Sequence, residues 1–186
     1  NYYMHQDMFA CNGILFNHES PRRGESFVTQ KIINAALRIK NNSNETLNLG
    51  NLYAKRDWGY AKEYVQYMWR MLQLKQPENL VIASGKTYSV KEFVNKVFNK
   101  LDMPIKWQGK GINEVGRRPD TNQIVIRVDP NFFRPAEVQT LLGDAKKANK
   151  ELGWSPSISL EDGINKTINW WYENIDPQTL ILKSEK

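Results

Sequence analysis

Between Leu15 and Ile32 the sequence changes character twice, and that double change narrows the folds open to the chain. An apolar run from Phe9 to Phe16 stops abruptly at polar residues, and its shortness and Ile-Leu-Phe ending predict a buried strand. From Val28 onward, Val28, Ile32, Ala35, Ala36 and Ile39 recur on one face of a predicted helix. The loop between them carries Asn17, His18, Arg22 and Arg23, with Ser26 in the place of a helix N-cap. Strand, polar loop with cations, helix N-terminus is a succession with which α/β proteins hold phosphate. Backbone N–H groups and the helix dipole attract the anion, and guanidinium groups add bidentate hydrogen bonds. Two adjacent arginines in a loop equally fit a solvated turn, and residue types alone leave both readings open.

A chain of 186 residues with 40% hydrophobic and 25% charged residues is globular material, with room for one core and a second small lobe. No apolar run reaches membrane-spanning length and the first residues do not read as a signal peptide, so no membrane partner is expected. Cys11 is the lone cysteine, which excludes an internal disulfide; it fits a cytoplasmic location and a small core position. A net charge of +6 points to an anionic partner. Its lysines and arginines are scattered rather than gathered at an end, so nucleic acid is not the expected one. His5 and His18 have no Cys or His partner at ligand spacing, and no metal site is expected. There is no Gly-x-Ser-x-Gly nucleophile turn either.

Further along, Lys40 to Asn44 reads as a loop, and Thr46 to Leu49 alternates as a short strand does. Ala61, Val65, Met68 and Leu72 form a helical stripe, thickened by Trp69 and Met71, that predicts a core-facing helix. Leu80 to Ala83 predicts a second buried strand, and Ser89 caps a helix with Val90, Phe93, Val94, Val97, Phe98 and Leu101 inward. Pro104 ends that helix, and Ile105 to Gln108 predicts a short strand. Lys110 to Asn122 lacks periodicity and reads as a mobile loop, whereas β-branched Ile124 to Val128 predicts a strand. Asp144 caps a short helix closed by Gly153, and Ser159 with Asp162 opens a helix burying Leu160, Ile164, Ile168, Trp171 and Ile175. Alternating strands and helices mean an α/β protein.

Three ordered blocks then go beyond these patterns. The run Asn17 to Ile32 (Asn-His-Glu-Ser-Pro-Arg-Arg-Gly-Glu-Ser-Phe-Val-Thr-Gln-Lys-Ile) closely resembles the matching segment of GDP-mannose 4,6-dehydratases, which are extended short-chain dehydrogenase/reductase enzymes. The resemblance continues through Leu49 to Val65, then Phe133 to Val138, Leu142-Gly143-Asp144 and Leu152-Gly153-Trp154. It implies the C-terminal portion of an NAD(P)-binding Rossmann-type α/β fold with a smaller mixed α/β substrate-binding lobe. Residues 1–17 and about 58–86 of 1–176 would supply the last Rossmann elements, and 177–186 a polar tail.

The resemblance also implies roles, residue by residue. His18 and Arg23 match positions that contact NADP, and Asn17 one beside the sugar diphosphate. Val28 and Lys31 match positions facing the nucleoside of GDP-mannose, and Arg56 a diphosphate-binding arginine. Arg134 and Glu137 match an Arg-Pro-x-Glu element in which arginine meets the diphosphate and the acid meets the ribose hydroxyls. The chemistry suits those types: two phosphate charges need cations, vicinal hydroxyls an acidic acceptor, and a base a donor. Standing alone, Arg56 with Asp57 fits a surface ion pair, and Glu137 a solvated helix acid.

Two positions depart from the family pattern: Tyr53 and Glu63 stand where aspartate is common. No Gly-rich dinucleotide loop and no Tyr-x-x-x-Lys occurs, so the catalytic Thr, Glu, Tyr and Lys of the family are expected upstream of Asn1, in a coenzyme-binding half. The complete enzyme is expected to be a dimer or tetramer, oxidising the hexose at C4 with NADP, eliminating water and reducing C6. Another nucleotide-sugar dehydratase or epimerase, or a binding fragment without turnover, are the alternatives.

Overall fold

The structure, a computed structural model, describes residues 8–133, 136–153 and 155–175. The tail 177–186 and Arg134 lie outside the described residues. In chain order the strands are β1 (Gly13–Leu15), β2 (Asn17–Glu19), β3 (Leu47–Leu49), β4 (Lys55–Arg56), β5 (Trp58–Tyr60), β6 (Leu80–Ile82), β7 (Tyr88–Ser89), β8 (Lys106–Gln108), β9 (Val115–Arg117) and β10 (Ile124–Val128). The helices are α1 (Val28–Lys40), α2 (Ala61–Met71), α3 (Val90–Lys100), α4 (Lys146–Leu152) and α5 (Leu160–Asn174). They fall into two units. One takes the described residues up to Ser20, Arg56–Thr87 and Thr140–Gly163; the other takes Pro21–Lys55, Tyr88–Gln139 and the described residues from Ile164.

In the first unit β1 and β6 pair in parallel, Gly13 opposite Leu80 and Leu15 opposite Ile82. Beside them β2 and β5 pair in parallel, Asn17 opposite Trp58 and His18 opposite Gly59. Tyr64, Tyr67 and Met71 of α2, Leu80 and Ile82 of β6, and Ala148 and Leu152 of α4 form one buried cluster, with Cys11 and Leu15 against it. The expected strand from Phe9 to Phe16 is therefore much shorter. Asn12 leaves the ladder to hold Asn79 through its backbone and side chain, at 2.8 and 3.1 Å, and Ile14 is exposed.

The helix α2 is turned relative to the expected stripe. Tyr64, Tyr67 and Met71 face inward, whereas Val65, Met68, Trp69 and Leu72 are exposed. A tyrosine contributes a large apolar ring while scoring as half-polar, so the alternative face outweighs the stripe of more obviously apolar residues. Glu63 joins the inward face because its carboxylate accepts from Ser157 N at 2.7 Å and Ile158 N at 3.1 Å.

The second unit carries a four-stranded sheet in the order β3-β10-β9-β8. Strand β10 runs parallel to β3 and antiparallel to β9, which is antiparallel to β8. Helix α1 packs on α3 and β3. The α3 residues expected inward are all buried, and Ser89 forms a reciprocal capping box with Glu92. Helix α5 buries Ile164, Ile168 and Trp171, with Leu160 and Ile175 half-buried.

Two expectations in this unit are corrected. Ser26 is not the cap of α1; Phe27 is, because a turn closes from Phe27 N to Gly24 O at 3.1 Å and the Arg23 guanidinium stacks on the Phe27 ring at 3.5 Å. Lys110 to Asn122 is not an irregular loop, since it holds a 3-10 turn (Gly111–Asn113) and β9. Gly109 and Gly111 take the positive φ that the turn requires, and buried Glu114 anchors it to Lys91 at 2.5 Å and Tyr53 at 2.8 Å.

Candidate functional site

Each unit carries part of the expected site. In the first, Asn17 and His18 sit on β2, which pairs with β5, and a Cβ on Gly59 of β5 would collide with the Tyr64 ring of α2. That ring lies 5.0 Å from the His18 ring. His18 Nδ1 is 2.9 Å from Phe16 O, and a carbonyl only accepts, so Nδ1 carries the proton. A neutral His18 then presents Nε2 as an acceptor. Burial, followed by the Asp57 carboxylate, pushes the Tyr64 phenol well above its ordinary value. Tyr67, likewise buried and near Glu63, is pushed up to about 12 and donates to Asn149 Oδ1 at 2.7 Å. Both phenols are therefore neutral; Tyr67 donates, whereas the buried Tyr64 hydroxyl has no hydrogen-bond partner among the described residues.

Arg56 is half-buried on β4. Its neighbour Asp57 is not the surface ion-pair partner that sequence reading offered. It is fully buried, and accepts from Ser84 N at 2.9 Å, Ser84 Oγ at 2.6 Å, Gly85 N at 2.9 Å and Gly143 N at 3.3 Å. A Cβ on Gly143 would strike Ala83 and meet the Phe16 ring at 3.0 Å. Asp57 and Gly143 thus lock the segment beside Arg56. Sequence reading missed both roles, although both lie inside the resembling blocks.

The second unit forms a cleft of about 340 Å3 along α1. Lys31, Asn34 and Arg38 of α1 line it with Glu25, Glu45 and Phe132. Lys31 Nζ stands 5.3 Å from the Phe132 ring, a cation beside an exposed aromatic face. Arg38 grips Glu45 with both ends of its fork, at 2.6 and 2.7 Å. Val28, one turn before Lys31, is half-buried, and Arg23 lies flat on Phe27. Glu137 is half-buried and has an interaction of its own. A ring-sized ligand can stack on Phe132 while its acceptors meet the Lys31 ammonium. Among the described residues no group of three or more acidic, His or Cys side chains could hold a metal, and no helix is long and apolar enough to cross a membrane.

Solved structures with this fold define its class. The chain superposes on a UDP-glucose 4-epimerase from Thermotoga maritima with UDP-glucose (TM-score 0.73, 19% identity, 94% of this chain and 50% of that one). It also superposes on RMD from Pseudomonas aeruginosa complexed with NADPH (TM-score 0.72, 15% identity, 93% and 51%). The fold is that of the Rossmann-type extended short-chain dehydrogenase/reductases. Within that class, the family described as GDP-mannose 4,6 dehydratase matches residues 1–167. GDP-mannose 4,6 dehydratase of Drosophila melanogaster is 52% identical over 159 residues, 86% of this chain and 40% of that protein. The chain belongs to the GDP-mannose 4,6-dehydratase family. It spans about half or less of the length of the relatives it matches.

Proposed function

We propose that this chain forms the sugar-nucleotide-binding portion of an NADP-dependent GDP-mannose 4,6-dehydratase, which converts GDP-mannose to its 4-keto-6-deoxy product. The observation that carries the reading is the cleft along α1, where Lys31 stands over Phe132 inside a segment matched by the family. Guanine offers O6 and N7 as adjacent acceptors, for which a lysine is a fitting donor. Val28 adds an apolar contact on the same helix edge. Arg56, Arg134 and Asn17 serve the diphosphate, and Glu137 accepts from the ribose hydroxyls.

The coenzyme side is served by His18 and Arg23. An acceptor at His18 Nε2 suits the carboxamide N–H of a nicotinamide, and an arginine held flat on Phe27 suits a phosphate. When bound, the nicotinamide supplies the hydride acceptor for oxidation at C4 and the donor for reduction at C6. This chain's residues bind and orient; proton transfer is assigned to a partner half carrying Tyr and Lys. Residues 1–17 and about 58–86 complete that coenzyme-binding half, the complete enzyme is a cytoplasmic dimer or tetramer, and neither nucleic acid nor a membrane is a partner.

The test is titration calorimetry of the chain with GDP-mannose, UDP-glucose and mannose 1-phosphate. GDP-mannose is expected to bind tightest. Equal binding of GDP-mannose and UDP-glucose would return the chain to another nucleotide-sugar enzyme of the class.

A further inference from the structure

The cleft of the second unit holds an acceptor that the reading above leaves unused. Asn34 is 5% exposed, and its Oδ1 has no hydrogen-bond partner among the described residues. A buried carbonyl without a donor is costly, and an instance on the wall of a cleft calls for an explanation. The carboxylates beside it are engaged: Arg38 holds both oxygens of Glu45, and Glu25 has an interaction of its own. The Thr46 hydroxyl donates to Ile124 O at 2.9 Å. Lys31 and Asn34 are three residues apart on α1, so ammonium and amide are neighbours on one helix surface.

We infer that Asn34 reads the base, its amide oxygen accepting from the N1–H and N2–H2 edge of a guanine whose O6 faces Lys31. The inference rests on the sugar-nucleotide reading of the cleft. Along its six-membered ring guanine presents an acceptor, O6, followed by the donors N1–H and N2–H2. An ammonium beside an amide oxygen complements that order. Adenine carries its N6 amino group where guanine has O6, so in the same pose it would set a donor against the Lys31 donor. The amide oxygen is shielded from bulk water, but χ2 of asparagine is a broad torsion. It can turn into the cleft without moving the α1 backbone.

Calorimetric titration of the full 186-residue chain with GDP and ADP tests this, on the natural sequence, Asn34→Leu and Asn34→Asp. Asn34→Leu keeps the bulk and removes the acceptor. It is expected to weaken GDP binding about tenfold, as the loss of one good hydrogen bond does, and to leave ADP binding level. Asn34→Asp retains an acceptor and is expected to hold GDP affinity within about threefold. An Asn34→Leu chain that melts normally and keeps the natural GDP-to-ADP ratio overturns the inference. Should that variant lose its cooperative melt, Asn34→Ser, whose hydroxyl is too short to reach the base, takes its place with the same expected loss. A natural chain without preference for GDP over ADP overturns the sugar-nucleotide reading itself.

Discussion

Asp57 and Lys31 illustrate two kinds of residue in this chain. Asp57 is a carboxylate with no exposure whose oxygens accept from two backbone N–H groups of Ser84 and Gly85, a hydroxyl, and the more distant Gly143 N–H. Removing it takes the acceptor from part-buried donors at Ser84 and Gly85 and from the buried Gly143 N–H, and a buried donor left unpaired costs about 1–3 kcal/mol. Asp57→Ala is therefore expected to destabilise the chain by about 3 kcal/mol, read as a lower midpoint in urea at unchanged slope. A loss below about 0.5 kcal/mol would return Asp57 to the surface pair that sequence reading offered. Lys31 is exposed, and under the proposed function its substitution is expected to act on ligand binding. Lys31→Met keeps the stem and removes the charge. GDP-mannose affinity should fall while UDP-glucose binding stays level, and equal loss for both would make Lys31 a general electrostatic contact. Arg56→Ala should weaken both ligands alike, because a diphosphate is common to them; by calorimetry a buried charge-assisted pair costs about 2–5 kcal/mol to break. Lys31 and Arg56 were legible in the matched blocks as candidates for the proposed site. Asp57 was not, because the donors it gathers are far away in sequence.

Among the elements, α3 was the most legible and α2 the least. For α3 every signal agrees: the Ser89–Glu92 box, a clean apolar face and a stop before Pro104. Ser89→Ala should cost about 1 kcal/mol, seen as a lower melting temperature. The same box gives a pH dependence. The backbone N–H and the hydroxyl of Ser89 hold the Glu92 carboxyl below its ordinary value. A depressed folded value means the stabilisation is complete above the ordinary glutamate range and is lost as pH falls through the lower, folded value. Glu92→Gln should accordingly lower stability at neutral pH and flatten its decline in acid. A decline of unchanged steepness would show that Glu92 does not contribute. In α2 the pattern misled because two faces compete. Tyr64, Tyr67 and Met71 share one, and Val65, Met68, Trp69 and Leu72 the other. Period alone cannot choose between them; the partner elements β6 and α4 do. Lys110 to Asn122 misled for another reason, since two glycines and a buried carboxylate shape it without any periodic signal.

On the scale of the whole chain, the α/β character and the family were legible, because both rest on ordered blocks rather than on any one residue. What the sequence did not disclose is how much apolar surface the chain leaves open. Val65 and Trp69 are 61% and 63% exposed, four residues apart, with Met68 and Leu72 beside them. Ile14 is exposed on β1, in a parallel pair that has two strands among the described residues. Parallel strands are ordinarily covered on both faces, and an apolar stripe of this kind marks a surface that another chain can cover. The chain on its own is therefore expected to self-associate, with a sedimentation coefficient that rises with concentration. Val65→Glu with Trp69→Lys places an acid four residues before a base on the exposed face, which supports the helix while removing the apolar stripe. That double variant should sediment closer to a monomer without a lower melting temperature. An unmodified chain that stays monomeric up to about 100 μM, well inside the micromolar-to-millimolar range in which exposed apolar surface associates, would show that α2 presents ordinary surface residues.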